Sequence, residues 1–156
     1  MQPVLFDSSI YISALRLGDE AVLAVRYLAP EGPLWLSAVV LEELYAGVRM
    51  RDRKVVERLE HDFDRAGRIL VPSHGDWAQA GRVLALLGAQ RGYEHIGQGR
   101  ITNDALIAMS AGRHGITVIT TNERDFARLR KFRHFQYQVK SISLSSAGHR
   151  PAGSTT

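Results

Sequence analysis

The sequence contains no cysteine, and this absence excludes several kinds of protein. Folds held by disulfides, enzymes with a catalytic thiolate and cysteine-ligated zinc sites all need that residue. A reducing cytoplasm is therefore the expected location. No apolar run approaches the roughly 20 residues of a membrane-spanning helix, so we expect no membrane partner. The first residues, MQPVLFD, lack the charged and long apolar regions of a signal peptide and predict a first strand instead.

The motifs of several enzyme classes are also missing. No GxxxxGK[ST] occurs, so a P-loop nucleotide hydrolase is not expected. The six histidines show no HExxH-type spacing, which argues against histidine-ligated zinc. An enzyme that forms a phosphoaspartate after its first strand should carry a second aspartate two residues later, or a lysine at a strand end, and this chain has Ser9 at the first of these positions.

A modest positive charge is present. The formal net charge is +4, and arginine outnumbers lysine. Because a guanidinium group can bind a phosphate through two donors, this composition is compatible with a polyanionic partner. The same excess is typical of an ordinary solvated surface, so charge alone favours the simpler interpretation.

The 156 residues, 45% of them apolar, suffice for one domain with one core. Short apolar runs alternate with amphipathic helical segments, which predicts an α/β sandwich with a mostly parallel sheet. The predicted strands are 3–6, 33–37, 68–73, 116–121 and an edge strand at 136–144. The predicted helices are 8–18, 19–29, 38–50, 53–67, 76–92, 102–115 and 123–132. Residues 145–156 have the composition of a disordered tail.

Ligands bind beyond the carboxyl ends of the strands in such sheets, so the residues that follow each strand are the candidates for a site. Asp7 follows the first strand, and Glu42 and Glu43 lie one turn into the helix after the second. Asp104 lies in the first turn of the helix before the fourth strand. The segment after that strand, TTNERDF, contributes Asn122 and Asp125.

Each of these residues also has a purely structural explanation. Asp7 and Asn122 are good helix N-caps, and Asp125 is placed to complete a capping-box-like pair. Asp104 is favoured near a helix N-terminus by the dipole. Small residues at three- and four-residue spacing in the same helix, Ala105, Ala108, Ala111 and Gly112, predict that it packs tightly and fixes Asp104 in place. The helical wheel hardly separates the two glutamates, although Gly47, one turn later, slightly favours Glu43 because it leaves room for a ligand.

Convergence of these side chains would require a counter-charge. Two unit charges 4 Å apart repel by roughly 4 kcal/mol at an effective dielectric constant near 20. A cation, a shared proton or a basic partner would have to offset that repulsion. All the candidate ligands are oxygens, which suit Mg²⁺ or Mn²⁺ better than zinc.

Three segments, in this order, resemble the PIN-domain ribonucleases of the VapC toxin type: VLFDSSIYISAL, LSAVVLEELYAGV and TNDALIAMSAGRHGITVITTNERDF. The resemblance implies a three-layer α/β/α sandwich, with a PIN-like nuclease domain over residues 1–144. It implies an endoribonuclease that depends on Mg²⁺ or Mn²⁺ and acts as the toxin of a toxin–antitoxin pair. A homodimer and a small cognate antitoxin are the implied protein partners.

Carried over position by position, the resemblance assigns the catalytic set to Asp7, Glu43, Asp104, Asn122 and Asp125. Asp7, Asp104 and Asp125 are the expected metal ligands, with Asn122 and Glu43 assisting, and Glu43 is the candidate to take a proton from water. Because Asn122 is neutral, one negative charge fewer is available than in an all-acid site.

Two further predictions concern nucleic acid and the aromatic residues. Arg100, shortly before Asp104, and Arg49 are the candidate RNA contacts. Trp35 and Trp77 lie in apolar segments and are expected in the core rather than stacked on bases. A catalytically silent RNA-binding or scaffold module on the same fold is the alternative function.

Overall fold

A computed structural model of the chain describes residues 2–28, 32–95 and 101–141. The strands are β1 Val4–Phe6, β2 Leu34–Ser37, β3 Ile69–Leu70, β4 Thr117–Thr120 and β5 Tyr137–Val139. The helices are α1 Ser8–Leu15, α2 Asp19–Val25, α3 Ala38–Gly47, α4 Arg53–Arg65, α5 His74–Arg91, α6 Ile101–Arg113 and α7 Glu123–Arg130. Short 3-10 turns occupy Arg26–Leu28, Met50–Asp52 and Tyr93–His95.

The five strands form one sheet in the order β3-β2-β1-β4-β5, and every neighbouring pair is parallel. The central strand β1 pairs Leu5 with Trp35 on one side and with Val118 on the other. All three residues of β1 and all four of β4 are buried, as expected for strands covered on both faces. The prediction of an α/β fold with a parallel sheet and β5 at its edge is confirmed.

The helices pack in two groups, α1 to α4 and α5 to α7, and α3 and α6 also contact each other. With the sheet between helices, the predicted three-layer α/β/α architecture is confirmed. No helix in the described parts of the chain has both the length and the apolar character that a membrane crossing would require.

Helix α6 is held closely because one side of it is made of small residues. Ala105, Ala108 and Ala111 are completely buried. A β-carbon added to Gly112 would lie 3.2 Å from the β-carbon of Phe135, so this helix approaches its neighbour through a residue without a side chain. The tight packing that the sequence predicts is therefore present, and it fixes the start of α6, where Asp104 lies.

The sheet order places a topological switch point between β1 and β4. From the central strand β1 the chain moves to β2 on one side, and β4 lies on the other. The crevice at the carboxyl ends of two such strands is where open α/β sheets bind their ligands. Asp7 lies at this point, and its N–H donates to the carbonyl of Ile119 in β4 at 3.0 Å.

Some sequence predictions differ from the structure. Trp77 is 59% exposed, so its placement in the core is wrong: α5 buries the side that carries Ala80, Val83 and Leu87, and Trp77 lies beside that stripe in the first turn. Trp35 is partly buried against the core, as expected. The predicted disordered tail at 145–156, and the end of the predicted edge strand at 142–144, lie outside the described residues.

Candidate active site

Asp7 is a buried carboxylate at the end of the central strand. Its side chain is 3% exposed and caps α1, where Oδ1 accepts from the backbone N–H of Ser9 at 3.1 Å. The hydroxyl of Ser9 donates to the same oxygen. The other oxygen, Oδ2, accepts from the hydroxyl of Thr120, the last residue of β4, at 2.6 Å. The predicted cap is therefore present, and both oxygens are held in defined positions.

The electrostatic environment of Asp7 disfavours its charge. Burial raises the pKa of this carboxyl, and the hydrogen bonds from Ser9 and Thr120 offset only part of that effect. All its hydrogen-bond donors are neutral, and among the described residues no Lys, Arg or His forms an ion pair with it. A buried anion without a cationic partner fits a site that takes a metal ion.

Asn122 and Asp125 form the adjacent corner, after β4. The N–H of Asn122 donates to the Thr120 hydroxyl oxygen at 2.8 Å, and its side-chain Nδ2 donates to Oδ2 of Asp125 at 3.1 Å. Thr120 therefore connects Asp7 to this corner. Asp125 also lies 3.8 Å from the guanidinium of Arg128, one turn later.

The predicted capping role of Asn122 is wrong in one respect. Asn122 does occupy the N-cap position of α7, but its side chain accepts no N–H from that helix. The amide is bonded to Asp125 instead, and the Asn122 backbone N–H goes to Thr120, so no capping box forms. The two side chains are thereby hydrogen-bonded to each other, and Thr120 connects the backbone of Asn122 to Asp7.

Glu43 and Asp104 come from a different pair of elements, α3 and α6, which contact each other. Glu43 is half-buried, whereas Glu42 is exposed and accepts from Nδ2 of Asn103 at 3.2 Å. Asp104 is 4% exposed, and one carboxylate oxygen of Glu43 and one of Asp104 are inaccessible to solvent. The more inward position of Glu43 agrees with its choice over Glu42.

The predicted residues thus form two parts. Asp7, Asn122 and Asp125 are connected through Thr120, while Glu43 and Asp104 lie on α3 and α6. Within the described residues, no three His, Cys, Asp or Glu side chains are close enough together to hold a metal ion. The donor set fits Mg²⁺ or Mn²⁺ because it consists of oxygens and includes a buried, uncompensated carboxylate.

Two residues that the sequence did not single out hold Asp7. Ser9 donates to Asp7 twice, through its backbone and its hydroxyl, and its hydroxyl oxygen also accepts from the N–H of Thr121 at 3.1 Å. Thr120 is completely buried at the carboxyl end of β4. A hydroxyl at the carboxyl end of a buried strand, where such sheets bind their ligands, is the signal that could have identified Thr120.

A groove of about 780 Å³ lies beside Glu43, between α1, α3 and the 3-10 turn at Met50–Asp52. Its lining includes Arg16, Arg49 and Arg51. Arg49 forms an ion pair with Asp52 at 3.1 Å, and its side chain is 62% exposed. The predicted RNA contact at Arg49 is thus near the site, while the one at Arg100 lies outside the described residues.

Comparison with known proteins adds a family and several similar folds. The family model for the PIN domain matches residues 4–132. Among solved structures, the DNA-bound VapBC of Salmonella typhimurium is similar, with a TM-score of 0.63 and 22% identity over 89% of this chain and 98% of that one. VapBC2 of Rickettsia felis, bound to a promoter DNA fragment, has a TM-score of 0.61 and 22% sequence identity, over 90% of this chain and 100% of that one. VapBC-1 of nontypeable Haemophilus influenzae has a TM-score of 0.57 and 20% sequence identity, over 88% of this chain and 98% of that one. No protein of curated function matches the chain.

Proposed function

Since this chain belongs to the PIN domain family, we propose that it is a Mg²⁺- or Mn²⁺-dependent endoribonuclease and the toxin of a toxin–antitoxin pair. One observation carries the proposal. Asp7 is buried at the switch point of a parallel sheet, and its hydrogen-bond donors are all neutral. A protein that only needed to cap α1 could do so with a neutral Ser or Asn, without burying a carboxylate.

The metal would be held by Asp7, Asp104 and Asp125, assisted by Asn122 and Glu43. When bound, a divalent ion lowers the pKa of water and offsets the charge that builds on a scissile phosphate. The protein's own contribution is to position these oxygens. Ser9 and Thr120 orient the Asp7 carboxylate, and Asn122 orients Asp125.

Glu43 is the proposed general base. It has the longest side chain of the acidic set and lies half-buried next to the groove, where it can accept a proton from the attacking water. In-line attack of that water on the RNA phosphodiester leaves a 5′-phosphate and a 3′-hydroxyl.

The proposed partners follow from the resemblance to VapC-type toxins and from the similar structures, which are VapBC proteins bound to DNA. By analogy, we expect a small cognate antitoxin and a homodimer of this chain in the cytoplasm. This part of the proposal rests on the analogy of fold, because the sequence identities are near 22%.

A catalytically silent RNA-binding or scaffold module is the second candidate. Two observations favour it: position 122 supplies a neutral amide where a carboxylate would add charge, and the described acidic side chains do not converge in threes. The two functions differ in whether RNA is cut.

The test is to map the ends of cleaved RNA. Purified protein is incubated with total cellular RNA and Mg²⁺ or Mn²⁺, and new 5′-phosphate ends are sequenced, with the Asp7→Asn protein as the control. A discrete set of new ends that is lost in Asp7→Asn supports the nuclease. RNA that is bound but never cut supports the silent module.

A further inference from the structure

The net positive charge of the protein lies in one segment. Residues 123–140 contain six Lys or Arg and two acidic residues, which equals the whole formal excess of +4. The rest of the chain is balanced. This segment comprises α7, β5 and the turn between them, and α7 begins at the candidate active site.

Within the described residues, most cations of this segment form no ion pair. Arg128 lies 3.8 Å from Asp125, and none of the other five basic residues forms an ion pair within the described part of the chain. Some arginines elsewhere are paired, since Arg26 contacts Asp62 at 2.7 Å and Arg113 contacts Asp76 at 2.9 Å.

Four of these cations form what we call the basic strip: Arg124, Arg128, Lys131 and Lys140. The first three are spaced i, i+4 and i+7, so they share one side of α7, with about 6 Å of rise between the first two. The opposite side carries the buried Phe126 and Leu129, which hold the helix against the core.

The basic strip is attached to the candidate site at two points. Arg124 follows Asn122 by two residues and is exposed. The backbone N–H of Lys140 donates to the carbonyl of Thr120 at 2.9 Å, and Thr120 is the residue that holds Asp7. Because β5 is parallel to β4, its end brings Lys140 to the same edge of the sheet as the acidic residues.

We propose that the basic strip binds the phosphate backbone of single-stranded RNA on one side of the scissile bond; this deepens, and rests on, the proposed ribonuclease function. An acidic site repels the polyanion that it must cut, so cations beside it are needed to bring the strand in. Contacts of this kind set affinity and position without reading bases.

The test compares two sets of substitutions that remove equal charge. The strip variant is Arg124→Gln/Lys131→Gln/Lys140→Gln, which leaves the Arg128–Asp125 contact in place. The matched control is Lys54→Gln/Arg58→Gln/Arg65→Gln. These three residues are exposed and share one side of α4, a helix whose four basic residues are balanced by four acidic ones. None of the six residues belongs to the proposed catalytic set.

Binding is measured by the fluorescence anisotropy of a labelled, mixed-sequence single-stranded RNA. All proteins carry Asp7→Asn and are kept in EDTA, so that no cleavage occurs. The Kd is determined over a series of NaCl concentrations. Loss of three phosphate contacts should weaken binding by at least about tenfold at low salt and reduce the slope of log Kd against log salt by about 2. The α4 control should retain the parent slope.

The proposal is overturned if the strip variant binds as tightly as its parent, if the α4 control loses as much, or if a duplex DNA of equal length binds more tightly than the RNA. Failure of the nuclease function gives a different result: a wild-type protein that never cuts RNA can still lose binding through the strip variant. If RNA is cleaved but both variants bind it equally well, the basic strip is not the RNA-binding surface, and the nuclease function still holds.

Discussion

Asp7 and Asp76 are both buried, each 3% exposed, and each accepts a backbone N–H at the start of a helix, yet their electrostatic environments are opposite. Burial alone would raise the pKa of Asp76, but two bonds of 2.9 Å from Arg113, together with Ser73, hold the pKa of that carboxyl below its ordinary value. Asp7 has neutral donors, the backbone N–H and hydroxyl of Ser9 and the hydroxyl of Thr120, and burial raises its pKa.

The difference separates a structural carboxylate from a functional one. Arg113 neutralises Asp76 through two hydrogen bonds, and Asp76 also completes a capping box with Ser73. The charge of Asp76 is therefore compensated by other residues of the protein. Asp7 keeps a charge that the fold itself does not neutralise. Such a residue reduces stability and is expected where a ligand will supply the missing cation.

The largest expected effect is on catalysis. Asp7→Asn should reduce RNA cleavage by about a thousandfold or more, because a proposed metal ligand is lost while size and cap are kept. Asp76→Asn should cut RNA at close to the wild-type rate under conditions where it is folded. Rates are measured on a labelled RNA in Mg²⁺, with far-UV circular dichroism to verify folding. Equal losses of cleavage rate in both variants would mean that Asp7 has no greater role in catalysis than Asp76.

The next effect concerns the residue that orients Asp7. Thr120→Val removes the donor to Oδ2 and should lower the cleavage rate by about 10–100-fold, the usual cost of losing a partner behind a metal ligand. The pKa of Asp7 should rise further, so the acidic limb of the pH–rate profile should move to higher pH. Thr120→Ser should restore most of the rate.

Thr117→Val is the matched control for this prediction. Thr117 is also buried, at the other end of β4, where its hydroxyl donates to Gln136 at 3.1 Å and is remote from Asp7 in the strand. It should leave the pH–rate profile unchanged. A shift of similar size in both variants would mean that Thr120 acts only through the stability of β4.

Stability should respond with opposite signs. Asp76→Asn should lower the free energy of unfolding by about 1–2 kcal/mol, because the partly exposed Arg113 loses its charged hydrogen-bond acceptor. Asp7→Asn should raise it by about 1 kcal/mol at pH 7, because a buried charge is removed. Urea titrations of the two variants and wild type measure both. A loss of stability in Asp7→Asn would show that its charge is already compensated in the fold.

The smallest effect is in the pH dependence. The folded-state pKa of Asp76 is depressed, so its stabilisation is present above the unfolded value near 3.8 and is lost as the pH falls through the folded value. The pKa of Asp7 is raised, so its destabilisation is present at neutral pH and disappears as the pH falls towards 3.8. Both variants should therefore converge on wild type in acid, from opposite sides. Divergence in acid would reverse the assigned directions.

The sequence predicted the order of strands and helices because that information is local. Periodicity and turn residues mark each segment, and the strand ends mark the edge where the site lies. Asp7 as a cap, the close packing of α6 and the edge position of β5 were all accessible in this way. The identity of the catalytic set remains a prediction.

What the sequence could not predict depends on contacts between distant residues. The bond from Thr120 to Asp7 joins positions 113 apart in the chain and exists only because β1 and β4 are neighbours. The bond between Arg113 and Asp76 likewise needs α5 and α6 side by side. Trp77 was misplaced because an apolar residue in a helix is expected inside, whereas the first turn of α5 exposes it.

The central claim is that a divalent cation binds Asp7 and neutralises its buried charge, and the metal dependence of cleavage tests it most directly. Wild-type protein is freed of metal with EDTA, dialysed, and assayed on a labelled RNA while Mg²⁺ or Mn²⁺ is added back. The account predicts no cleavage in EDTA and recovery at millimolar metal, in the wild type but not in Asp7→Asn. Full cleavage in EDTA would contradict it.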